Sequence, residues 1–413
     1  MNVTVIGGGA SGMMAALTAA ENGAEVVILE AGTVPGKKIL ATGNGRCNLT
    51  NLALDPALYQ GSCRRHASLL LREFGVQDTL DFFDSIGIPT VAAGSARGND
   101  AWVYPSCKEA AAVRMALEME CERRGVRIRK ESRVISLNKQ SGRFLIGLEN
   151  GSSAEADRVI LTTGGKAFPK SGSDGSGYAL AAAFGHQIVS PLPALGPVLS
   201  PNPYTKNLSG LRAEALLSLH VDGEETAQEY GEVQFTDYGL SGIPVFQLSG
   251  RIARELAADH GVTLVLDLLP DKTGEDIMMD LAGRRLRRRE RESGTLLLGL
   301  VPSKMVPVLF QESGIPLHIP CREISQNGLV RLSEILTAFA FPVSGVKDFD
   351  ACQVTSGGIP ATEVSLNLES IKCRGLYFAG EILDLDGPCG GYNLQWAWTS
   401  GYAAGRAAGK FEE

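Results

Sequence analysis

An α/β fold with a parallel sheet is predicted by three features at the start of this chain. A β-rich run, Val3-Thr4-Val5-Ile6, leads straight into glycines. A helix-like stretch rich in Ala, Met and Leu follows from about Ser11 to Asn22, and Gly23 closes it as a C-cap. A second strand, Glu25 to Leu29, is nearly all apolar on both faces, the pattern of a buried parallel strand. Together they form one β-α-β unit.

The glycines between the first strand and the helix read Gly7-Gly8-Gly9-Ala10-Ser11-Gly12, a G-x-G-x-x-G. Alone the pattern is weak. Here it follows a strand and opens a helix, the context of a Rossmann-like dinucleotide site. Gly7 permits the tight turn, Gly9 lets backbone approach a pyrophosphate, and Gly12 lets helix and strand pack closely. Ala10 and Ser11 bring the helix N-terminus, with its free N–H groups, to the phosphates. Glu30, with Ala31 beside it, ends the second strand, where a carboxylate accepts from ribose hydroxyls and disfavours a 2′-phosphate.

From this motif alone the cofactor is NAD or FAD. The next segment, Pro35 to Asn48, is glycine-rich and basic, where an NAD domain continues into a helix and another strand. Such a loop suits FAD lying extended across the domain. Lys37 and Lys38 are read as neutralising phosphate. Thr42, Gly43, Gly45 and Cys47 are read as backbone close to the flavin, and Arg46 and Asn48 as hydrogen-bonding the flavin or a substrate oxygen.

Length and composition bound the rest. The 413 residues suggest two or three domains, and 44% hydrophobic with 21% charged residues fits ordinary globular cores. A net charge of -7 gives no general attraction to nucleic acid or anionic membrane, so neither is an expected partner. The run Arg284, Arg285, Arg287, Arg288, Arg289 and Arg291, interrupted by Glu290 and Glu292, reads as a solvated helix face laced with i,i+4 pairs. No run of 18 or more apolar residues occurs, as a spanning helix would need, and the first strand leaves no room for a presequence. The eight cysteines contain no C-x-x-C and fit a reducing cytoplasm. The histidines show no metal-ligand spacing.

Along the chain, helices are expected near 63–86, 106–124 and 175–185, and strands over 126–136, 143–148 and 158–163. Pro191 to Pro203 carries five prolines and reads as a linker or domain crossing. Strands are expected at 216–221 and 262–268, and helices at about 273–292, 303–312 and 332–339. A strand at 375–379 and a last helix end the chain. The dinucleotide domain is thus split, about 1–190 and 350–413, around an insert of about 191–349.

Several blocks resemble the BaiN/RdsA (YhiN-like) family of FAD-dependent oxidoreductases. They are Gly36 to Asn51; Thr163-Gly164-Gly165 with Ser171 to Tyr178; Gln234 to Gly242; Thr355 to Ile359; Phe378 to Asp384; and Gly390 to Ala397. The resemblance spans the whole chain. It implies a two-domain flavoprotein whose insert is a β-barrel with a helical subdomain at about 270–340. Val134 resembles the position whose backbone contacts adenine in related FAD proteins. Thr163, Gly164 and Gly165 end a strand beside the cofactor. Gly380 and Glu381 occupy the place where an acidic residue, usually Asp, meets the ribitol or pyrophosphate. Gly391, Tyr392, Asn393, Leu394 and Gln395 open the last helix, whose N-terminus would stabilise negative charge on the flavin. Gly401, Ala404, Gly405 and Ala408 let that helix pack close to the sheet. His186 matches a family position of unassigned role.

Among assigned members is a reductase of C=C bonds in 3-oxo bile acids. The leading reading is therefore an NAD(P)H-linked flavin reductase of enones. No second G-x-G-x-x-G exists, so NAD(P)H is expected as a transient electron donor at the flavin face. An oxidase of small amines is the alternative within enzymes; a flavin-binding protein acting through partner recognition is the alternative outside them. Weak catalytic candidates are Arg46, Tyr238 and Tyr392. The block 235–242 is read either as part of a substrate-pocket roof or as a tight structural turn. Cys47 and Cys389 are read as small residues filling tight loops rather than a redox pair, since reactivity needs a depressed pKa.

Overall fold

β1 (Asn2–Ile6), α1 (Ala10–Glu21) and β2 (Glu25–Leu29) form the β-α-β unit in the computed structural model, which describes residues 1–93 and 101–410. With β3 (Arg127–Arg129), β4 (Arg158–Leu161) and β5 (Leu376–Phe378) they build a five-stranded sheet in the order β5-β4-β1-β2-β3. Every pairing in it is parallel. The fold is α/β with a Rossmann-type sheet. β1 and β4 are buried nearly throughout because helices and an antiparallel meander both pack on them, so neither strand alternates as a half-exposed one would.

The chain divides into two units, one made of Met1–Pro193 and the chain from Cys352 onward, the other of Ala194–Ala351. In the first, α1 is buried continuously from Ser11 to Ala19. The last helix, here α3 (Tyr392–Gly409), lies against it. A Cβ on Gly401 would sit 2.5 Å from the Ser11 carbonyl oxygen, on Gly405 2.3 Å from that of Ala15, and on Gly409 2.8 Å from that of Ala19. Two rows spaced four residues apart thus interlock, and only glycine leaves room for the backbones to meet. The glycine row therefore packs on α1, where the sequence had suggested the sheet.

Between β2 and β3 lie, among the described residues, three α-helices. The helical stretch expected at 63–86 is two: α2 (Arg64–Leu70) and a helix over Val76–Ser85. Gly75 separates them and donates its N–H to the Asp78 carboxylate at 2.8 Å. The third spans Ala110–Arg123. Strands Val134–Gln140, Arg143–Leu148 and Ser153–Ala156 form an antiparallel meander, whose last, polar member the hydropathy pattern does not reveal. The proline-rich segment begins as a strand, Val189–Ala194, in a two-stranded sheet with Val354–Gly358. An outer edge needs no donor from Pro191 or Pro193.

The second unit holds a seven-stranded sheet with antiparallel pairings. Ala215, Leu217 and Leu219 point inward from the strand Arg212–Val221. Its partner, Glu224–Phe235, is too polar to read as a strand and is held by pairing along its whole length. The helix Ile243–Ala257 carries a legible signal, Pro244 in its first turn and buried Val245, Leu248 and Ile252 at helical spacing, which the sequence reading omits. The arginine run is a solvated face only in part: Arg287, Arg289 and Arg291 are exposed and Arg284 pairs with Asp280 at i,i+4. Its helix ends at Arg287. Arg284 donates to the Leu298 carbonyl at 2.9 Å and Arg285 to that of Ile324 at 2.8 Å, so these cations tie down loops.

His186 lies in the core of the first unit. Its Nδ1 is 2.8 Å from Glu363 Oε2 and its Nε2 2.8 Å from Ser370 Oγ, and Lys372 Nζ lies 2.9 Å from the same Glu363 oxygen. Burial pushes the imidazole below its ordinary value of 6.5, against the raising effect of Glu363. Burial raises the Glu363 carboxyl, but hydrogen bonds from Lys372 and His186 outweigh it and hold it below its ordinary 4.5.

Two predictions follow from this packing. Gly405→Leu should lower stability in urea unfolding by about 3 kcal/mol, the scale of overpacking. Gly274→Ala, where a Cβ meets nothing within 4 Å, should stay within about 0.5 kcal/mol. For the His186 cluster the unfolded chain takes up protons first, because the folded-state values are depressed. Stability should therefore be full above pH 6.5, decline below it, and fall again below 4.5 as Glu363 titrates. Unfolding midpoints measured across this range should lose the upper step in His186→Gln.

Candidate functional site

Three segments of the first unit meet at the ends of β1, β2, β4 and β5. The turn after β1 comes first. Gly7 has φ +102°, and a Cβ there would lie 2.7 Å from the Thr162 carbonyl oxygen. A Cβ on Gly12 would lie 2.0 Å from the Gly7 oxygen. Both glycines are therefore packing requirements. Gly9 differs: a Cβ there meets nothing within 4 Å. The turn thus leaves an open cradle above the first turn of α1, where the amides of Ala10, Ser11 and Gly12 have no intrahelical partner.

Glu30 fixes this cradle. Its two oxygens accept the N–H groups of Gly8 and Gly32, each at 2.7 Å. Its first role is thus to hold the glycine turn. Each carboxylate oxygen keeps a further lone pair, so a ribose hydroxyl remains compatible. Ala31 is half-buried beside it, and Val134 is buried at the start of its strand.

The second segment is the loop 36–48. Ile39–Gly45 forms tight turns, with Gly43 and Asn44 left-handed. Thr42 donates its hydroxyl to the Ile39 carbonyl at 2.7 Å and its own carbonyl accepts the Cys47 N–H at 3.0 Å. Gly45 is open on its Cβ side. Arg46 is exposed, donates to the Gly43 carbonyl at 3.1 Å, and lies over the Tyr104 ring, 5.1 Å from its centre. Lys37 donates to the Lys170 carbonyl at 2.7 Å. Cys47 is fully buried, and burial pushes its thiol up to about 12, which makes it an inert core residue. Cys389 is half-buried.

The third segment joins β4, β5 and α3. Glu381 pairs with Lys38 at 2.6 Å and accepts the Thr355 N–H at 2.9 Å, so Lys38 is neutralised within the protein. Thr355 Oγ1 accepts from the N–H groups of Lys166 and Ala167 at 2.8 and 3.0 Å. A Cβ on Gly165 would collide with that threonine at 2.4 Å. Thr355 is thus a positioning residue that the sequence signals only through the block Thr355 to Ile359. Gly380 packs on Ser11, and its N–H donates to Ser400 Oγ at 2.9 Å.

The side chains that open α3 are committed to scaffolding. The Tyr392 hydroxyl accepts the Asp55 N–H at 3.0 Å. Asn393 accepts the Gly387 N–H at 2.9 Å and donates to the Gly387 carbonyl at 2.8 Å. Gln395, fully buried, accepts from Thr50 Oγ1 at 2.6 Å and donates to the Gly75 carbonyl at 3.2 Å. Asn48, with its amide turned so that both ends are satisfied, donates to the Thr50 and Val103 carbonyls and accepts the Gly391 N–H at 3.3 Å. What α3 offers a ligand is therefore backbone, the amides of Tyr392, Asn393 and Leu394 after the left-handed Gly391. The Tyr392 hydroxyl also donates to the Ala53 carbonyl at 3.4 Å, so the side chains of Tyr392 and Asn48 are both engaged within the protein.

Near Thr163–Gly165 three buried hydroxyls have no partner among the described residues: Thr163 Oγ1, Ser173 Oγ and the Tyr178 phenol. Burial, with Glu381 and Asp384 nearby, pushes the Tyr178 phenol far above its ordinary value. Buried polar atoms of native proteins rarely stay unpaired. These hydroxyls and the open cradle at Gly9 fit a polar ligand seated along the strand ends. In the second unit, Tyr238 sits in the turn after Phe235. Thr236 closes that turn by donating its hydroxyl to the Gly239 carbonyl at 2.9 Å, and Lys347 Nζ lies 4.0 Å from the centre of the Tyr238 ring.

The family model of the HI0933-like protein Rossmann domain matches residues 1–407. The chain belongs to this family and is an FAD-dependent oxidoreductase. A curated relative, the 3-dehydro-bile acid delta(4,6)-reductase of Clostridium scindens, is 40% identical over 98% of both chains. The ribosomal RNA dihydrouridine synthase of Escherichia coli is 30% identical over 97% of this chain and 96% of its own. Among solved structures, a 3-ketosteroid-delta4-(5alpha)-dehydrogenase from Rhodococcus jostii shares the fold with a TM-score of 0.51 and 17% identity, over 99% of this chain and 96% of its own. Among the described residues no helix is long and apolar enough to cross a membrane.

The contrast between the glycines gives a direct test of the cradle. Gly9→Val should fold, with the melting temperature of the flavin-stripped wild type, but retain no FAD in absorbance of the purified protein. Gly12→Val should fail to fold stably. Wild-type flavin content in Gly9→Val would show that the cradle is not the cofactor site.

Proposed function

We propose that this enzyme reduces a carbon–carbon double bond conjugated to a carbonyl, in a 3-oxo steroid or bile acid, with NAD(P)H as electron donor. The observation that carries this reading is the 40% identity over 98% of both chains with an enzyme named for reducing such bonds. FAD, when bound, supplies the hydride at its N5.

The chain's own groups have defined tasks. The α1 amides and the space above Gly9 receive the pyrophosphate. Glu30 takes the ribose with its free lone pairs. Thr163, Ser173 and Tyr178 supply the unpartnered hydroxyls. The amides opening α3 face developing negative charge, where a helix N-terminus is stabilising. An enone also needs its carbonyl polarised and a proton delivered to its α-carbon. Arg46, exposed and without a carboxylate partner among the described residues, is the side chain we assign to the first task. With the Tyr392 hydroxyl already bonded to the Asp55 N–H and the Ala53 carbonyl, solvent delivers the proton.

The relative that acts on ribosomal RNA favours a second reading. A uracil ring also holds a C=C conjugated to a carbonyl, so the chemistry is the same and only the substrate differs. The net charge of -7 supports the small molecule, because RNA binding draws its affinity from phosphate neutralisation. The scattered cysteines, with no C-x-x-C among them, support a cytoplasmic location.

Anaerobic mixing tests the proposal. NADH or NADPH should bleach the flavin, and a conjugated 3-oxo steroid should restore its colour with formation of the saturated ketone. Reoxidation by uridine in ribosomal RNA, and by no enone, would establish the second reading. Bleaching by aminoketones, with no response to enones, would make the protein an amine oxidase.

A further inference from the structure

A cleft of about 850 Å³ in the first unit has no part in the site described above. One wall is α2 and its extension. Arg64, Ser68 and Arg72 are spaced four residues apart and share a face, with Arg65 beside them. The other wall is apolar, with Leu54, Pro56 and Val76. All three guanidinium groups belong to exposed residues, and among the described residues none of them has a carboxylate partner. The one acidic lining residue, Asp55, already uses an oxygen to cap the Ala57 N–H at 2.8 Å. Three uncompensated cations in one cleft of a chain carrying -7 make a focused anion site.

The cleft is tied to the first turn of α3 through both walls. Asp55 donates its N–H to the Tyr392 hydroxyl at 3.0 Å, and Gly75, which also lines the cleft, accepts from Gln395 at 3.2 Å. It therefore lies within a few side chains of the helix end assigned to the flavin.

We propose that this cleft binds the adenosine phosphate half of NADPH, with the 2′-phosphate on Arg64 and Arg72 and the adenine against the apolar wall. The inference rests on the reading that a reduced nicotinamide nucleotide supplies the electrons. It adds where that nucleotide docks and which of the two it is. The chain has no second G-x-G-x-x-G to hold a dinucleotide by backbone, so side chains must do so. Arginine forks match phosphate oxygens in pairs. The 2′-phosphate adds up to about two negative charges that NADH lacks, and unpaired arginines reward that difference.

Calorimetric titration of the FAD-loaded protein with 2′,5′-ADP tests the site without turnover. Wild type should bind it, and Arg64→Gln/Arg72→Gln should weaken binding at least about tenfold, the scale of a lost charge-assisted contact. In steady state the same variant should raise KM for NADPH and leave KM for NADH and kcat unchanged. Unchanged 2′,5′-ADP affinity in the variant would overturn the assignment. So would an RNA oligonucleotide that binds through these arginines in a protein blind to 2′,5′-ADP. Enone reduction by NADH alone, without 2′,5′-ADP binding, removes the cleft assignment and leaves the reductase standing. Arginine-dependent 2′,5′-ADP binding without reduction of any enone keeps the cleft and removes the reductase.

Discussion

The first unit depends on one contact, the backbone-to-backbone approach of α1 and α3. Glycines 401, 405 and 409 meet the carbonyls of Ser11, Ala15 and Ala19 at distances that exclude any side chain. Dispersion falls off steeply with separation, so close helices gain packing that a gap of a single methyl would forfeit. The consequence is positional. α1 carries its N-terminus to the ends of β1 and β4, and α3 carries a second N-terminus to the same unit. Two helix ends with unpaired amides are held by one rigid seam, although 381 residues lie between Ala10 and Tyr392.

Around that seam, charged and amide side chains mostly serve the protein. Glu30 clamps the glycine turn, Glu381 clamps Lys38 and Thr355, Asn393 clamps the loop that starts α3, and Gln395 ties α3 to Thr50 and Gly75. Backbone amides and a few buried hydroxyls are what remain for a ligand. Amides held by secondary structure need no reorganisation when charge appears on a cofactor, which suits redox chemistry. This division explains why no residue of the site looks like an obligatory acid or base.

Reduction of a conjugated double bond places modest demands on such a site. The hydride comes from the cofactor, the carbonyl needs a donor, and the proton can come from water. The bile-acid and uracil substrates of the two curated relatives differ in size and charge but share that minimal chemistry. Substrate choice then rests on surfaces that shape and charge define. The arginine cleft beside α2 serves the electron donor instead, and its positive charge stands out on an acidic chain.

Sequence alone determined the β-α-β unit, the glycine turn at Gly7 to Gly12 and the return of the chain's end to the parallel sheet, because these depend on local conformation and hydrophobic periodicity. It also contained, unread, the amphipathic helix at Ile243–Ala257. Only the tertiary structure decided which partner each polar group takes. Tyr392, Asn48 and Lys38 look like ligand-facing residues in the text, yet Asp55, Gly391 and Glu381 engage them across gaps of more than 300 residues. The polar strand Glu224–Phe235 exists because a neighbour pairs with it. Hydrogen-bond partners over such distances are set by how the layers stack, and no local pattern encodes that.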